Sequence, residues 1–529
     1  MPPSTTTSSI DDAAEKQQPN AEPETEVFAV YGVEPEVQAY AMAKYSRSSL
    51  SMKESLREIS SQKAEKFLNT FYFQYGHRSI ADLAHIAMAI ERLSILAAIV
   101  LVDEQRWDGQ ERSTRYQDFR KSGYFSPDFG TDDQKRQLYR ATADFLFREY
   151  EEVSQAVFEH LVSLTPQPAE MKREQYERIL RARAFDASRY LLPLATNTSL
   201  GQIVNARTLE TQIARLLASP YAEIRQLGEK LKLAAKEPAY DLSRAAVLQF
   251  ASDIASDRPD MAMRVENALA REVRVASTLV KYADANQYEM KSRAELAQAA
   301  AELMKNGAIE PAPAVDLLDE TESFDVELAT TLLYQHCTYR YRQIRACVEA
   351  LSDAERREIV DLGLHHRGKH DDLPRAFAAG QKFRFDITMD LGGFRDMHRH
   401  RRCVQILQPF AAGRLGYETP SEIKDAGLQQ RFDETIRRVG EAQCKLASSP
   451  EYVLTADYLS PLAHRQRALF KMDFSEALYI SELRSGPAGH YSYRRVAWEM
   501  YRAVAERYPA LEKYFRVTDI NEPVDLLKR

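Results

Sequence analysis

From Val27 onward, apolar residues recur mostly at helical spacing. Ser49 to Leu68 places Leu50, Met52, Leu56, Ile59 and Phe67 roughly along one face, which predicts an amphipathic helix. His85 to Val102 predicts a second, more buried helix, and Gly76 to Asp82 between them reads as a turn leading into a helix start. Asp103 to Tyr116 is polar and runs into Tyr116, Phe119, Tyr124 and Phe125, which predicts a loop followed by a short strand. Asp133 to Leu164 and Lys172 to Arg189 predict helices parted by Pro166 and Pro168. Two more are predicted over Asn205 to Leu217 and Tyr221 to Ala235, with Ser219-Pro220 between them. Arg244 to Leu303 is alanine-rich and helical, Gly307 to Pro313 a loop, and Asp325 to Leu351 a helix rich in tyrosine and arginine. Phe383 to Met389 alternates as a half-buried strand does. Ser421 to Leu446 predicts a long, largely exposed helix, and Ala468 to Ser481 and Tyr493 to Glu506 predict the last two.

Composition narrows the class. Hydrophobic residues make up 44% and charged residues 28%, the balance of a soluble globular protein. At ~100–200 residues per domain, 529 residues predict two to four units. A net charge of −7 argues against a general nucleic-acid binder, so any basic site must be local. The longest strongly apolar run, Ile95 to Val102, is far short of the ~20 residues that span a bilayer, so no membrane association is expected. Residues 1–26 are rich in Ser, Thr, Pro, Glu and Gln and predict a disordered tail rather than a signal peptide. Together these make the cytoplasm the expected location. Cys337, Cys347, Cys403 and Cys444 show neither metal spacing nor a disulfide framework and fit a reducing compartment.

The local basic site is Phe394 to Cys403, where six of ten residues are arginine or histidine. Like charges this close repel, and burial strips their hydration. A bound anion relieves both problems, because arginine offers a planar fork of donors to phosphate; a solvated basic helix face is the alternative. His365, His366, His370, His398 and His400 could chelate zinc, but the neighbouring arginines repel a dication and no Cys or carboxylate set completes a tetrahedron. No metal is expected.

The chain also repeats itself. Arg189-Tyr190-Leu191-Leu192-Pro193 is echoed by Asp457-Tyr458-Leu459-Ser460-Pro461, and the interval from Arg189 to Asn205 equals that from Asp457 to Asp473. Ser219-Pro220 and Glu223-Ile224-Arg225 are echoed by Gly486-Pro487 and Arg494-Arg495. A shared spacing with changed side chains predicts a diverged tandem pair.

The first half resembles the flavin-dependent thymidylate synthases, through Ala43-Lys44-Tyr45-Ser46, Gly76-His77-Arg78-Ser79 with Asp82, Ser113-Thr114-Arg115-Tyr116, Arg189 with Leu192-Pro193, Asn205-Ala206-Arg207 and Glu223-Ile224-Arg225. Where that family has Arg-His-Arg, the first half has Asp103-Glu104-Gln105. The second half keeps Arg399-His400-Arg401, but has Pro409-Phe410-Ala411-Ala412 in place of Ser-x-Arg-Tyr and Asp457 in place of an arginine. The resemblance implies an α/β (α+β) fold of two similar helix-rich domains, each with a small central sheet. The expected domains are residues 27–235 and 265–520, joined by a helical linker over 236–264.

The resemblance further implies FAD as cofactor, methylenetetrahydrofolate and NAD(P)H as co-substrates, and reductive methylation of dUMP to dTMP. The expected nucleotide site combines Ser113, Arg115 and Arg189 with Arg484, which also stabilises negative charge on the pyrimidine. The expected flavin site combines Arg399, His400 and Arg401 with Asn205 and Arg207, assisted by His77 and Ser79. Two such fused chains would form a homodimer that rebuilds the family's tetramer. Simpler roles stand beside these: Arg189 binding helix-end carbonyls, Asn205 capping a helix, Ser113 serving a turn, and Arg484 pairing with Glu482 or Glu476. Because each half lacks part of the motif, a flavin- or nucleotide-binding protein without synthase activity, or one acting on another uracil nucleotide, is the alternative.

Overall fold

Two polar residues, Ser94 and Asp390, each end a strand and cap the helix that follows it; around them the chain builds the same unit twice. The computed structural model describes residues 32–44, 52, 56, 68, 78–318, 323–368, 371, 373–522 and 525–527. The tail, His77 and most of the predicted Ser49–Leu68 helix lie outside the described residues.

The first unit follows α1 (Pro35–Lys44) and comprises β1 (His85–Ser94), α2 (Ile95–Leu101), β2 (Asp108–Glu111), α3 (Asp133–Leu164), α4 (Arg173–Ser188), β3 (Asn197–Asn205), α5 (Ala206–Leu217) and α6 (Ala222–Lys236). Three helices follow: α7 (Leu242–Ile254), α8 (Pro259–Leu269) and α9 (Gln287–Leu303). The second unit carries β4 (Val315–Leu317), α10 (Phe324–Tyr334), α11 (Tyr341–Glu349) and α12 (Asp353–Leu362) ahead of the repeated elements. These are β5 (Phe383–Asp390), α13 (Leu391–Met397), β6 (Val404–Leu407), α14 (Ser421–Asp425), α15 (Gln429–Ala447), α16 (Val453–Asp457), β7 (Arg465–Met472), α17 (Phe474–Ser485) and α18 (Tyr491–Arg507). The first sheet has order β1-β3-β2 and the second β4-β5-β7-β6, so the repeated strands take the same places. All pairings are antiparallel. The fold is α+β, with two similar helix-rich domains.

Several expected helices are corrected. His85–Val102 is a strand and then a helix, because pairing of β1 with β3 overrides the helix preference of its Ala and Met residues. Arg92, at φ 58°, makes a bulge where the register shifts. Ala468–Ser481 is likewise strand and helix: β7 lies between β5 and β6, buried on both faces, so its apolar run carries no period that separates strand from helix. Arg244–Leu303 and Asp325–Leu351 are each interrupted. Ser421–Leu446 is split, and its longer part buries Phe432, Ile436, Val439 and Leu446 instead of lying exposed. The strand near Tyr116 is β2, ahead of it; beyond it only Tyr124 forms an isolated bridge, to Thr196.

The two units meet about an approximate two-fold axis. Pro193 and Pro461 form an antiparallel bridge. Leu194 N–H donates to the Ser460 carbonyl at 2.9 Å and Leu462 N–H to the Leu192 carbonyl at 3.0 Å. Ala195 N–H donates to the Tyr458 carbonyl at 2.7 Å and Ala463 N–H to the Tyr190 carbonyl at 3.0 Å. Each bond has its mate across the axis, the signature of an isologous interface inside one chain. A single hydrophobic cluster contains residues of both units, and a second one lies between β6–β7 and helices α9 to α12.

Leu194 and Leu462 are each 0% exposed beside this axis. Leu194→Ala and Leu462→Ala are expected to cost about 2–5 kcal/mol each, read as a lowered urea midpoint. Equal losses are the mark of a shared core, and a loss confined to one variant counts against it.

Candidate functional site

Arg115 follows β2, and its neighbours come from both units. Its guanidinium grips Asp186 at 2.9–3.0 Å, in the last turn of α4. It also donates to the Tyr493 hydroxyl at 2.7 Å and to the Ala488 carbonyl at 3.2 Å, both in the second unit. Arg189, in the 3-10 turn after α4, is 2% exposed, lies 3.2 Å from Asp186 and donates to the Thr114 hydroxyl at 3.2 Å. The Thr114 hydroxyl also receives Arg395, on α13, at 3.3 Å. Burial opposes the Asp186 charge, but His490, Arg189 and Arg115 outweigh it and hold its carboxyl well below the usual range.

Arg484 lies in the last turn of α17, also beside Tyr493. The guanidinium carbons of Arg115 and Arg484 stand 5.5 and 5.7 Å from that one ring. Arg484 Nε donates to His400 Nε2 at 2.8 Å. Burial depresses the His400 pKa, with Glu476 acting against it. A neutral imidazole accepting at Nε2 carries its proton on Nδ1, which faces Glu476 at 3.6 Å.

Beside this knot lies a cavity of about 510 Å³. Its walls are Trp107 to Glu111 on and before β2, Ile203 to Asn205 on β3, and Arg395, His398, Arg399 and Arg401. Arg401 stacks over Trp107 at 4.3 Å and donates to the Val102 carbonyl at 3.2 Å. Burial pulls its pKa down to about 10. Nε of Arg395 and Nε of Arg401 are buried and meet no acceptor among the described residues, and the same holds for Arg189 Nη2. The two orphaned donors on the cavity wall, from Arg395 (otherwise paired with Glu111) and Arg401, suit an anion with several oxygens.

The segment matching Arg399-His400-Arg401 carries the opposite charge. Asp103 pairs with Arg375, and Glu104 with Arg215 at 2.8 Å. Desolvation opposes the Asp103 charge, but Arg375, His398 and Arg215 prevail and hold its pKa at about 2.

The structure brings Arg484, Arg115 and Arg189 into one cluster, and Asn205, Arg399 and Arg401 onto one cavity. His400 sits with Arg484 rather than on the cavity wall. Arg207 pairs with Asp82 at 3.4 Å and lines a separate pocket of about 220 Å³. Ser113 accepts the Arg115 backbone N–H at 3.3 Å, a turn role, and Ser79 is exposed. Asn205 caps α5 by accepting the Thr208 N–H at 2.8 Å while also lining the cavity. Asp186, Thr114, Trp107 and Tyr493 were not legible as site residues; only Asp186, three positions before Arg189 on a helix, carried a spacing signal. His398 and His400 do not converge. His365 and His366 instead face Glu295 at 3.0 and 2.7 Å, a carboxylate distant in sequence.

Residues 30–238 and 317–510 match the family described as Thymidylate synthase complementing protein. The chain is 25% identical over 522 residues to the UPF0159 protein of Chlamydia muridarum, covering 94% of this chain and 92% of that one. It is 25% identical over 214 residues to a flavin-dependent thymidylate synthase of Clostridium tetani, covering 40% of this chain and 82% of that one. Among solved structures, thymidylate synthase X of Helicobacter pylori with FAD and dUMP aligns at 17% identity, covering 38% of this chain and 89% of that chain, with a TM-score of 0.25.

Two buried aspartates, Asp186 beside Arg189 and Asp457 at the position matching Arg189, titrate in opposite senses. Asp186→Asn strands two buried guanidinium groups and is expected to cost about 3–5 kcal/mol at neutral pH. Because the Asp186 pKa is depressed, its contribution is present above the ordinary value of 3.8 and fades as pH falls below it. Burial instead raises Asp457 from 3.8 to about 7, against the Tyr221 hydrogen bond and Arg414. The native state then keeps a proton that the unfolded state has lost, so stability declines as pH rises between those values. Asp457→Asn is expected to raise the melting temperature at pH 8, by on the order of 1–3 kcal/mol in stability, and to leave it unchanged near pH 4. Melting curves at the two pH values check both variants.

Proposed function

The chain belongs to the thymidylate synthase complementing protein family, and from that premise we propose that it binds FAD and dUMP and catalyses reductive methylation to dTMP. The supporting observation is the meeting of Arg484 and His400 with Arg115, Asp186 and Arg189 around Tyr493, next to a cationic cavity. The residues present fit a dianionic cofactor: Arg399, Arg401 and Arg395 border the cavity and two of them keep buried, unmatched donors. FAD, when bound, supplies the hydride chemistry, with methylenetetrahydrofolate as carbon donor and NAD(P)H as reductant.

The protein's own part is binding and charge placement. Arg399 and Arg401 hold the pyrophosphate, and Asn205 closes the opposite wall. Arg189 and Arg395, joined through Thr114, present donors to the nucleotide phosphate. Arg115 is held by Asp186, Tyr493 and Ala488, so its role in this reading is to position Tyr493. Neutral His400 takes the Arg484 Nε proton as a hydrogen bond, which leaves the terminal amino groups of Arg484 for a pyrimidine that gains negative charge.

A second reading, binding without methylation, draws on the pairing of both Arg115 and Arg189 with Asp186. Growth of a thymidine auxotroph without thymidine separates the two. Purified protein is expected to be yellow and to release tritium from C5-labelled dUMP. Arg399→Ala is expected to weaken FAD binding at least tenfold, the scale of one charge-assisted contact. Arg484→Ala is expected to abolish tritium release while sparing FAD. Colourless protein that takes up no FAD on incubation overturns the proposal.

A further inference from the structure

We propose that each chain holds one FAD and one nucleotide, because the equivalent pair of pockets on the other side of the internal two-fold is closed by the chain's own side chains. This rests on the flavin and nucleotide reading above and adds to it the number and identity of the working sites.

The internal symmetry assigns partners position by position. Asn205 and Asp473 are N-caps of matching helices, accepting the Thr208 and Glu476 N–H groups. Counting from these caps, Arg484 matches Leu216. Tyr221 and His490 are likewise caps of α6 and α18, so Tyr493 matches Ile224. Arg189 matches Asp457, as the axis itself shows through the paired bonds of Tyr190 and Tyr458.

The mirror of the nucleotide cluster therefore offers Asp457, Leu216 and Ile224 where the working one offers Arg189, Arg484 and Tyr493. It is also filled. Tyr221 donates to Asp457 at 2.8 Å, and its ring packs at 6.5 Å from Phe410 and 6.0 Å from Tyr458. Leu216 and Ile224 are 0% exposed. A nucleotide phosphate would find a carboxyl and apolar walls there.

The mirror of the flavin pocket is closed by charge. Asp103 and Glu104 stand where Arg399 and His400 stand, and they are matched by Arg375 and Arg215. On the sheet, Ile203 at the open cavity corresponds to Lys471 on β7, through their places before the two caps. Lys471 is 0% exposed and donates to Glu327 at 2.7 Å and to the Ala378 carbonyl at 2.6 Å. The sheet face that lines the cavity in the first unit carries helix α10 in the second. These losses are of residue type, so no packing of one chain on another restores them.

The test is stoichiometry on the full-length protein. FAD is added in excess, unbound FAD is removed, and the flavin released on denaturation is counted per chain; dUMP is then titrated calorimetrically into the FAD-loaded protein. One FAD and one dUMP per chain are expected. Two of either overturns the inference while leaving the functional reading in place, and none of either overturns both. The Arg399→Ala/Arg401→Ala variant sharpens the count, with its fold checked by circular dichroism. A single site loses all bound FAD, whereas two independent sites lose half, which overturns the inference. Asp457→Asn is expected to leave both counts at one.

Discussion

The four backbone hydrogen bonds between Tyr190–Ala195 and Tyr458–Ala463 are the constraint on which the molecule rests. Their peptide groups are buried, so each lost bond would leave a donor and an acceptor without water. They fix the two units at one angle and one register. Tyr190 and Tyr458 flank the axis and each reaches into the opposite unit. Tyr190 donates to Asp390 at 2.6 Å, the residue that caps α13 and also receives Ser492. Tyr458 lies beside Glu223, which accepts the Ser94 hydroxyl at 2.6 Å. Carboxylate and hydroxyl have changed places between the units, Asp390 with Ser492 in one and Ser94 with Glu223 in the other. The buried group keeps one acid and one hydroxyl either way, so hydrogen bonding is conserved while the residues are not.

Fusion makes such trades possible. In an assembly of identical subunits every substitution appears at each equivalent position, so two facing Arg-His-Arg turns would have to remain cationic together. In one chain the two turns evolve apart. The second unit's turn keeps Arg399, His400 and Arg401, and the first unit's turn becomes Asp103-Glu104-Gln105, which places His398 3.8 Å from Asp103 across the axis. Asp103 attracts Arg401 where an arginine would repel it, and the acidic turn also satisfies Arg375 through Asp103 and Arg215 through Glu104.

What could be read from the chain follows the physics of each signal. Long helices with one apolar face, such as Asp133–Leu164, were legible to their ends because period and capping agree. Strands β1 and β7 were not, since one is rich in helix-favouring alanine and the other is buried on both faces. The tandem repeat showed in spacing because caps and turns must keep their distances even as side chains drift. The cluster around Tyr493 was only half visible. Motifs mark the arginines, but the acid that balances them and the ring that joins them come from segments brought together by the two-fold alone.

That division of the cations carries the functional argument to its last step. Every nitrogen of the Arg115 guanidinium has a partner inside the protein, and Asp186 offsets its charge. Arg399 is exposed, and Arg401 is held by a tryptophan face and two carbonyls, with burial lowering its pKa to about 10. An arginine kept in that state destabilises the free protein unless it has a use. An incoming anion removes the penalty on Arg401 without rearranging Arg115, Asp186 or Tyr493, so the rigid knot orients and the uncompensated rim binds. The same site thus holds both kinds of arginine, distinguished by whether an acid was brought to meet them.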